Sequence, residues 1–268
     1  MFQVHGISDR PRDPETGHSA RANGAGSAVG ERVRQFLKNG TFLGHLSDAA
    51  LDTLVHRGHI KKYSAGNFLC RRQEPGETLM VIITGWVKIT TNNVDGKEIV
   101  LNILGTGDTN GEMAVLDGKV RSADAIALVD TEVFLVHARD LLPMLTAHPQ
   151  ALLEIIQSLC EKLRVASAII EDNSLDMRRR LARGLMRLAQ QHGRTCKEGI
   201  RVKLMMSQSE LGGYLGLSRE NVSRQLGHLR DANVIRKDGA QIIVTDEFAL
   251  CDIAQTNDEA LTWRRRAS

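Results

Sequence analysis

Residues 207–229 constrain this chain more than any other stretch, because they specify two short helices and the turn between them. Ser207 and Glu210 have the spacing of a capping box, and Met206 and Leu211 that of its hydrophobic staple. Leu211 and Leu215 share one helical face, and Gly212 leaves room for another helix. Gly216 tolerates the positive φ that ends a helix and turns the chain. Ser218 then caps a second helix, with Leu217 and Val222 as its staple. Val222, Leu226 and Leu229 fall on its inward face; Arg219, Glu220, Ser223, Arg224 and His228 fall on the other.

A polar face of this kind can read base-pair edges. Arginine bonds guanine bidentately, a carboxylate accepts from the cytosine amino group, and short hydroxyls bond phosphates. Ser207, Gln208, Ser218, Arg219, Glu220, Ser223 and Arg224 are therefore the candidate contacts to double-stranded DNA. The alternative is an ordinary amphipathic surface helix. Two capped helices, a turn glycine and this arginine placement together favour the DNA reader.

The charge distribution agrees with that reading. From Arg178 onward there are 17 Lys/Arg against 10 Asp/Glu, whereas residues 1–177 hold 18 against 22. Phosphate attraction supplies much of DNA affinity, and the basic half is the half with the two helices. At 268 residues the length suits two modest domains. No apolar run is long enough to span a bilayer, and residues 1–30 lack a signal-peptide apolar stretch, so a cytoplasmic location without membrane is expected. Cys70, Cys160, Cys196 and Cys251 are scattered without a C-x-x-C pair, which disfavours a zinc or iron–sulfur site. With no nucleophile–base or metal constellation, an enzyme is not expected.

Texture changes along the chain divide it. Residues 1–29 are rich in Gly, Ala, Ser, Pro and charge and read as a disordered tail. Ser47 caps a short helix carrying Leu51, Leu54 and Val55. From about Ile60 to Val136 short β-rich runs (78–84, 86–91, 99–104, 125–128 and 132–136) alternate with turns, the spacing of an antiparallel barrel or roll. Asp95-Gly96 is a hairpin signal. A long helix follows, from near His148 to about Asn173, in which Leu152, Ile156, Leu159, Leu163, Ala166 and Ile170 form a heptad seam. Such a seam pairs with a second copy, or else packs on its own domain; the DNA motif favours the homodimer. Asp176–Gln190 is helical, and Asn233–Thr245 reads as a β-hairpin wing around Gly239. The expected organisation is a tail at 1–29, a β domain at 30–147, a dimerisation helix and hinge at 148–175, a winged DNA-binding domain at 176–250 and a tail at 251–268. The last tail ends Trp263-Arg264-Arg265-Arg266 and reads as solvated.

A second constellation lies at residues 111–123, GEMAVLDGKVRSA. A one-turn helix starting at Gly111 presents unpaired N–H groups to an anion. Arg121 can pair with two phosphate oxygens, Ser122 can add a hydroxyl, and Glu112 can accept from a sugar hydroxyl. One carboxylate, one arginine and one helix start suit a sugar joined to a phosphate. A turn with a surface Glu–Arg pair is the equal alternative on these residues alone.

The segment resembles the phosphate-binding cassette of cyclic-nucleotide-binding domains, F-G-E-(L/M)-(A/G)-L…R-(S/A)-A, and Gly85 resembles the x-G-x-V strand entry of that family. Ser218-Arg219-Glu220-x-Val222-x-Arg224 resembles the recognition-helix motif of the cAMP receptor / Crp–Fnr family of bacterial transcription regulators, whose order is similar across residues 40–250. The resemblance implies an α+β fold: an N-terminal jelly-roll-like antiparallel β-roll, a long dimerisation helix and a C-terminal winged helix-turn-helix. It implies a cyclic mononucleotide as allosteric ligand, cAMP first and cGMP as the alternative, with no metal. Glu112 would bond the ribose 2′-hydroxyl; Arg121 and Ser122 would hold the cyclic phosphate with backbone help from Gly111, Met113 and Ala114. Arg219, Glu220 and Arg224 would read bases in palindromic, TGTGA-like half-sites, and RNA polymerase is an implied partner. Four positions depart from the pattern. Asn110 replaces a Phe, and Gln225 an apolar residue. Ala166-Ser167 replaces a Thr-Ser pair whose threonine bonds the adenine amino group; Ser167 stays a candidate contact. The hinge at 170–176 is one residue shorter than the family form. Rival readings are a ligand-free or redox-sensing regulator, and a nucleotide-binding module serving a partner protein.

Overall fold

A computed structural model describes residues 28–94, 96, 98–203, 205–239 and 241–255. Residues 1–27 of the tail expected at 1–29, residues 256–268 of the tail expected at 251–268 and Asp95 of the hairpin signal lie outside the described residues.

The chain enters as helix α1 (Ala28–Gly40), which starts two residues inside the segment expected to be tail. A 3-10 turn (Phe42–His45) leads to α2 (Asp48–Arg57), capped by the Ser47 hydroxyl accepting from Ala50 N at 3.3 Å. Eight strands follow: β1 (His59–Tyr63), β2 (Phe68–Cys70), β3 (Thr78–Thr84), β4 (Val87–Asn92), β5 (Glu98–Leu104), β6 (Thr109–Asn110), then, after helix α3 (Glu112–Asp117), β7 (Asp124–Ala127) and β8 (Thr131–His137). They form two antiparallel four-stranded sheets, ordered β1-β8-β3-β6 and β2-β7-β4-β5. Between them Tyr63, Leu69, Met80, Ile82, Val87, Leu104, Val133 and Leu135 make one apolar interior. Central β3 is buried along most of its length, as its unbroken Leu-Met-Val-Ile-Ile run requires. Gly85 turns the chain from β3 to β4 at φ +104; a side chain there would overlap Thr131, whose hydroxyl accepts from Trp86 N at 3.3 Å.

Two helices leave the roll, α4 (Ala138–Ala147) and α5 (Pro149–Asp172). Pro149 sits at the first turn of α5, where a missing N–H costs nothing. At 24 residues α5 spans about 36 Å. One face, through Ala151 and Ile155, is buried against the roll and its flanking helices. The opposite stripe is exposed: Leu153 50 %, Ile156 47 %, Leu163 68 % and Ile170 72 %. Leu159 of the expected seam packs instead against the intramolecular core, and exposed Cys160 and Ser167 complete the open stripe. The exposed stripe is therefore rotated slightly from the expected 152–159–166 row, in which Leu159 packs on the chain's own domain while Ala166 is exposed.

The C-terminal half contains α6 (Met177–His192), β9 (Gly193–Cys196), β10 (Gly199–Lys203), α7 (Gln208–Leu215), α8 (Arg219–Asp231), β11 (Ile235–Asp238), β12 (Gln241–Val244) and α9 (Glu247–Ala254). A sheet ordered β11-β12-β10-β9 lies against the helices. The wing is the β11–β12 hairpin, turning at Gly239 with φ +58. The tail expected from 251 is corrected at its start: α9 runs to Ala254, and Cys251 and Ala254 fill the same core as Leu181, Leu185 and Leu250. Val100 and Ile103 of β5 join this C-terminal core, so the outer face of one roll strand is sealed by α7. At the seam, His192 Nε2 lies 3.2 Å from Ile103 O and the His192 ring stands edge-on to Trp86, centroids 4.6 Å apart. No helix among the described residues is long and apolar enough to cross a membrane.

Candidate functional site

Strand β6 delivers the chain to Gly111, whose φ of +94 is open to glycine and strained for other residues. The turn starts α3 with no side-chain cap, so no capping side chain occupies the first N–H groups of that helix. Met113 is 51 % exposed, while Ala114 is buried beside Gly76.

Glu112 and Arg121 are both buried, at 5 % and 4 % exposure. Burying a charge is expensive unless it is paired, so their partners matter. Glu112 Oε1 takes Lys162 Nζ from α5 at 2.8 Å. Arg121 Nη2 donates to Thr78 O at 2.6 Å and to Thr78 Oγ1 at 2.9 Å. The remaining atoms, Glu112 Oε2, Arg121 Nε and Arg121 Nη1, are buried without a hydrogen-bond partner. Gly111 lies against the same guanidinium: a methyl group there would overlap Arg121 Nη1 and stand 2.8 Å from Thr78 O. One acceptor, two further guanidinium donors and a helix start are thus assembled around Gly111. That donor set fits an anion carrying a hydroxyl-bearing ring.

Ser122 is exposed beside Arg121. Ser167 is exposed on the open stripe of α5, five residues beyond Lys162, and does not join the cluster within the chain. Asn110, at the departing position, reaches the roll interior, where its Nδ2 lies 3.9 Å from Cys70 Sγ and 3.9 Å from Met80 Sδ. Burial pushes the Cys70 thiol up, and burial first, then Cys70, pushes the Tyr63 hydroxyl up to about 12. Lys162 and Thr78 are not legible in the sequence, since each lies more than 40 residues from its partner.

The second site is built as its caps predict. Ser207 and Glu210 close a capping box, with Glu210 N to Ser207 Oγ at 3.2 Å and Ser207 N to Glu210 Oε2 at 2.8 Å. Gly216 turns the chain at φ +63, and Ser218 Oγ accepts from Asn221 N at 3.2 Å. Val222 and Leu229 are fully buried; Ser218, Arg219, Glu220, Ser223 and Arg224 are exposed, as is Ser207, with Gln208 half-buried. Its own backbone N–H and the Ser218 hydroxyl hold the Glu220 carboxyl below its usual range. Arg224 bonds Asn221 Oδ1 along the same helix. Gln225 is buried, and its Oε1 has no partner. The α7–α8 face and the wing border a cavity of about 520 Å³ lined by Ser207, Gln208, Ser223, Arg230 and Lys237 among others. No group of three or more His, Cys, Asp or Glu placed to hold a metal occurs among the described residues.

Comparison with known proteins matches both halves. Residues 60–148 match the cyclic nucleotide-binding domain and residues 179–253 the Crp-like helix-turn-helix domain. The chain is 31 % identical over 201 residues to the cAMP-activated global transcriptional regulator CRP of Salmonella typhimurium, covering 74 % of this chain and 95 % of that protein. It is 27 % identical over 212 residues to the CRP-like cAMP-activated global transcriptional regulator of Mycobacterium tuberculosis, covering 79 % and 94 %. Among solved structures, FixK2 from Bradyrhizobium japonicum superposes with a TM-score of 0.67 at 23 % identity, over 75 % of this chain and 98 % of that one, which shows the shared fold. A CRP-family transcriptional regulator from Thermus thermophilus gives 0.59 at 26 % identity, over 75 % and 99 %. With a nucleotide-type cassette in its β-roll and a capped helix-turn-helix behind its long helix, the chain belongs to the Crp–Fnr family of transcription regulators.

Proposed function

We propose that this protein is a homodimeric regulator whose sequence-specific DNA binding is switched by a cyclic mononucleotide, in the cytoplasm and in partnership with RNA polymerase. In this reading residues 30–147 sense the ligand, 148–175 pair the two copies and 176–250 read DNA. The observation that carries it is the set of buried, unpartnered atoms Glu112 Oε2, Arg121 Nε and Arg121 Nη1. Leaving such atoms unpaired costs about 1–3 kcal/mol each, a cost that a bound ribose hydroxyl and phosphate would relieve. Gly111 to Ala114 supply the helix start, and Ser122 stands beside the phosphate.

The open stripe on α5 supports pairing of two copies, since Leu163 and Ile170 are left exposed by the described residues. Two recognition helices, each with Arg219, Glu220 and Arg224 outward and flanked by Ser207, Gln208, Ser218 and Ser223, would then read two TGTGA-like half-sites about one helical turn apart. The ligand would favour one arrangement of the dimer helix and act by population shift.

cAMP is the first ligand, because the relatives named above are cAMP-activated. cGMP is the second reading, and Ala166 favours it: an exposed alanine on α5 offers no hydroxyl to an adenine amino group. Ser167 of one copy would reach the base from the dimer helix. The test is calorimetric titration of the chain and of Arg121→Ala with cAMP and with cGMP, followed by gel shift on a palindromic site with and without each. Tight binding of one nucleotide that Arg121→Ala removes supports the reading. Undiminished binding in the variant, or DNA binding indifferent to both nucleotides, defeats it.

A further inference from the structure

Residues 173–176 join α5 to α6, and the joint is hydrogen-bonded throughout. Asn173 N, Ser174 N and Leu175 N donate to the carbonyls of Ile170, Glu171 and Asp172 at 3.0–3.2 Å. The Asp176 carboxylate accepts from Arg178 N and Arg179 N at 3.0 Å. Arg180 then folds back from α6. Its Nε donates to Asp172 O at 3.1 Å, and its Nη2 to Asn173 O at 2.8 Å and Leu175 O at 3.1 Å. Its Nη1 donates to Gly216 O at 3.2 Å. One guanidinium thus holds the carbonyls at the negative end of α5 and also the glycine that turns α7 into α8.

Asp172 closes α5 at 2 % exposure. Its Oδ1 pairs with Arg183 Nη1 at 3.1 Å and its Oδ2 with Arg187 Nη1. Arg183 Nε donates to Ala254 O, the end of α9, at 3.1 Å. Arg187 Nε donates to the hydroxyl of buried Tyr214 in α7 at 3.3 Å. Through these two arginines of α6, the carboxylate that ends α5 is linked to α7 and α9. A buried charge with this many donors leaves little freedom between its elements, because any relative movement strands a charged group.

We propose that Asp172, held by Arg183 and Arg187 and backed by Arg180, is a positioning residue that fixes the helix-turn-helix to the end of α5 and thereby sets the distance between the two recognition helices. The inference rests on the dimer reading above. Half-sites one base pair further apart are displaced by about 3.4 Å along the axis, and rotated as well. A rigid joint rejects that displacement, whereas a loosened one accommodates it.

The experiment uses the full chain and the variants Asp172→Asn and Arg180→Lys. Sedimentation gives the oligomeric state, and gel shifts use palindromes with the spacer at its best length and one or two base pairs longer or shorter. The wild type is expected to favour the best spacing by about tenfold or more, the scale of one mismatched base pair. Both variants are expected to remain dimeric and to let that preference fall below about threefold, the loss of most of that one-mismatch scale. A spacing preference that survives in folded, dimeric variants overturns the inference. If Asp172→Asn does not fold, Arg183→Gln takes its place, since it removes one of the two Asp172 pairs and keeps the other. A wild-type chain that sediments as a monomer at DNA-binding concentrations overturns the dimer reading instead.

Discussion

Lys162 Nζ lies 2.8 Å from Glu112 Oε1, so an ion pair ties the long helix α5 to the α3 turn of the β-roll. Lys162 also donates to Thr109 O at 2.9 Å, which anchors the ammonium independently of Glu112. The pair occupies one carboxylate oxygen and leaves Oε2 to accept from a ligand. Lys162→Met would strand a nearly buried carboxylate, at a cost of about 1–3 kcal/mol. Nucleotide affinity is expected to fall roughly tenfold, each factor of ten being about 1.4 kcal/mol. Calorimetry of the variant checks this, and unchanged affinity would show that the pair is incidental to the site.

Gly111 makes a sharper steric prediction. Its φ of +94 and its contact with the Arg121 guanidinium both exclude a side chain. Gly111→Ala is expected to displace Arg121 from Thr78 and to destabilise the fold by about 1–3 kcal/mol through backbone strain. Nucleotide binding should be lost with it. Thermal unfolding with and without nucleotide reads both effects; a ligand-induced rise in Tm matching the wild type would contradict the assignment.

Arg224 projects from α8 without burying charge, so truncating it should leave the fold alone. If it reads a base, Arg224→Ala costs about 1–3 kcal/mol on the specific site and much less on random DNA. Competition gel shifts with both DNAs measure the ratio. Equal losses on the two would reduce Arg224 to a phosphate contact.

Much of this architecture is legible in the sequence because its signals are local. The capping box at Ser207, the cap at Ser218 and the turn at Gly216 each depend on residues within four positions, and all three form. The run at 78–84 matches β3 in full, since a central strand needs an unbroken apolar sequence. The β9–β10 hairpin carries no such signal: only Ile200 and Val202 alternate there, too few to mark a strand. Helix α1 reads in part as tail because its apolar face, Val33, Phe36 and Leu37, lies wholly beyond its first turn. The partners of the cassette are invisible for another reason. Thr78 and Lys162 meet Arg121 and Glu112 only through the pairing of sheets and the docking of α5, which no local pattern encodes.

His192 offers a pH test of the contact between the two halves. Its ring is packed between Trp86 and the β5 carbonyl of Ile103, with Gly105 close beside it. Because Ile103 offers only an acceptor, Nε2 must carry the proton, and a neutral ring suffices. Burial holds the imidazole below its ordinary value, against the pull of Asp108 and the Ile103 carbonyl. A depressed value means that the unfolded chain takes up the proton first as pH falls. The stability that neutral His192 contributes is therefore complete above about 6.5 and is lost as pH falls from there through the depressed native value. An edge-on aromatic pair adds about 0.5–1.5 kcal/mol, so the contact between the halves should loosen on the acid side. Trp86 fluorescence, followed from pH 8 to pH 5 in a Trp263→Phe background, should report a transition. In His192→Phe the aromatic contact persists without a titrating group, and the transition should vanish. If it persists in that variant, another group controls the interface.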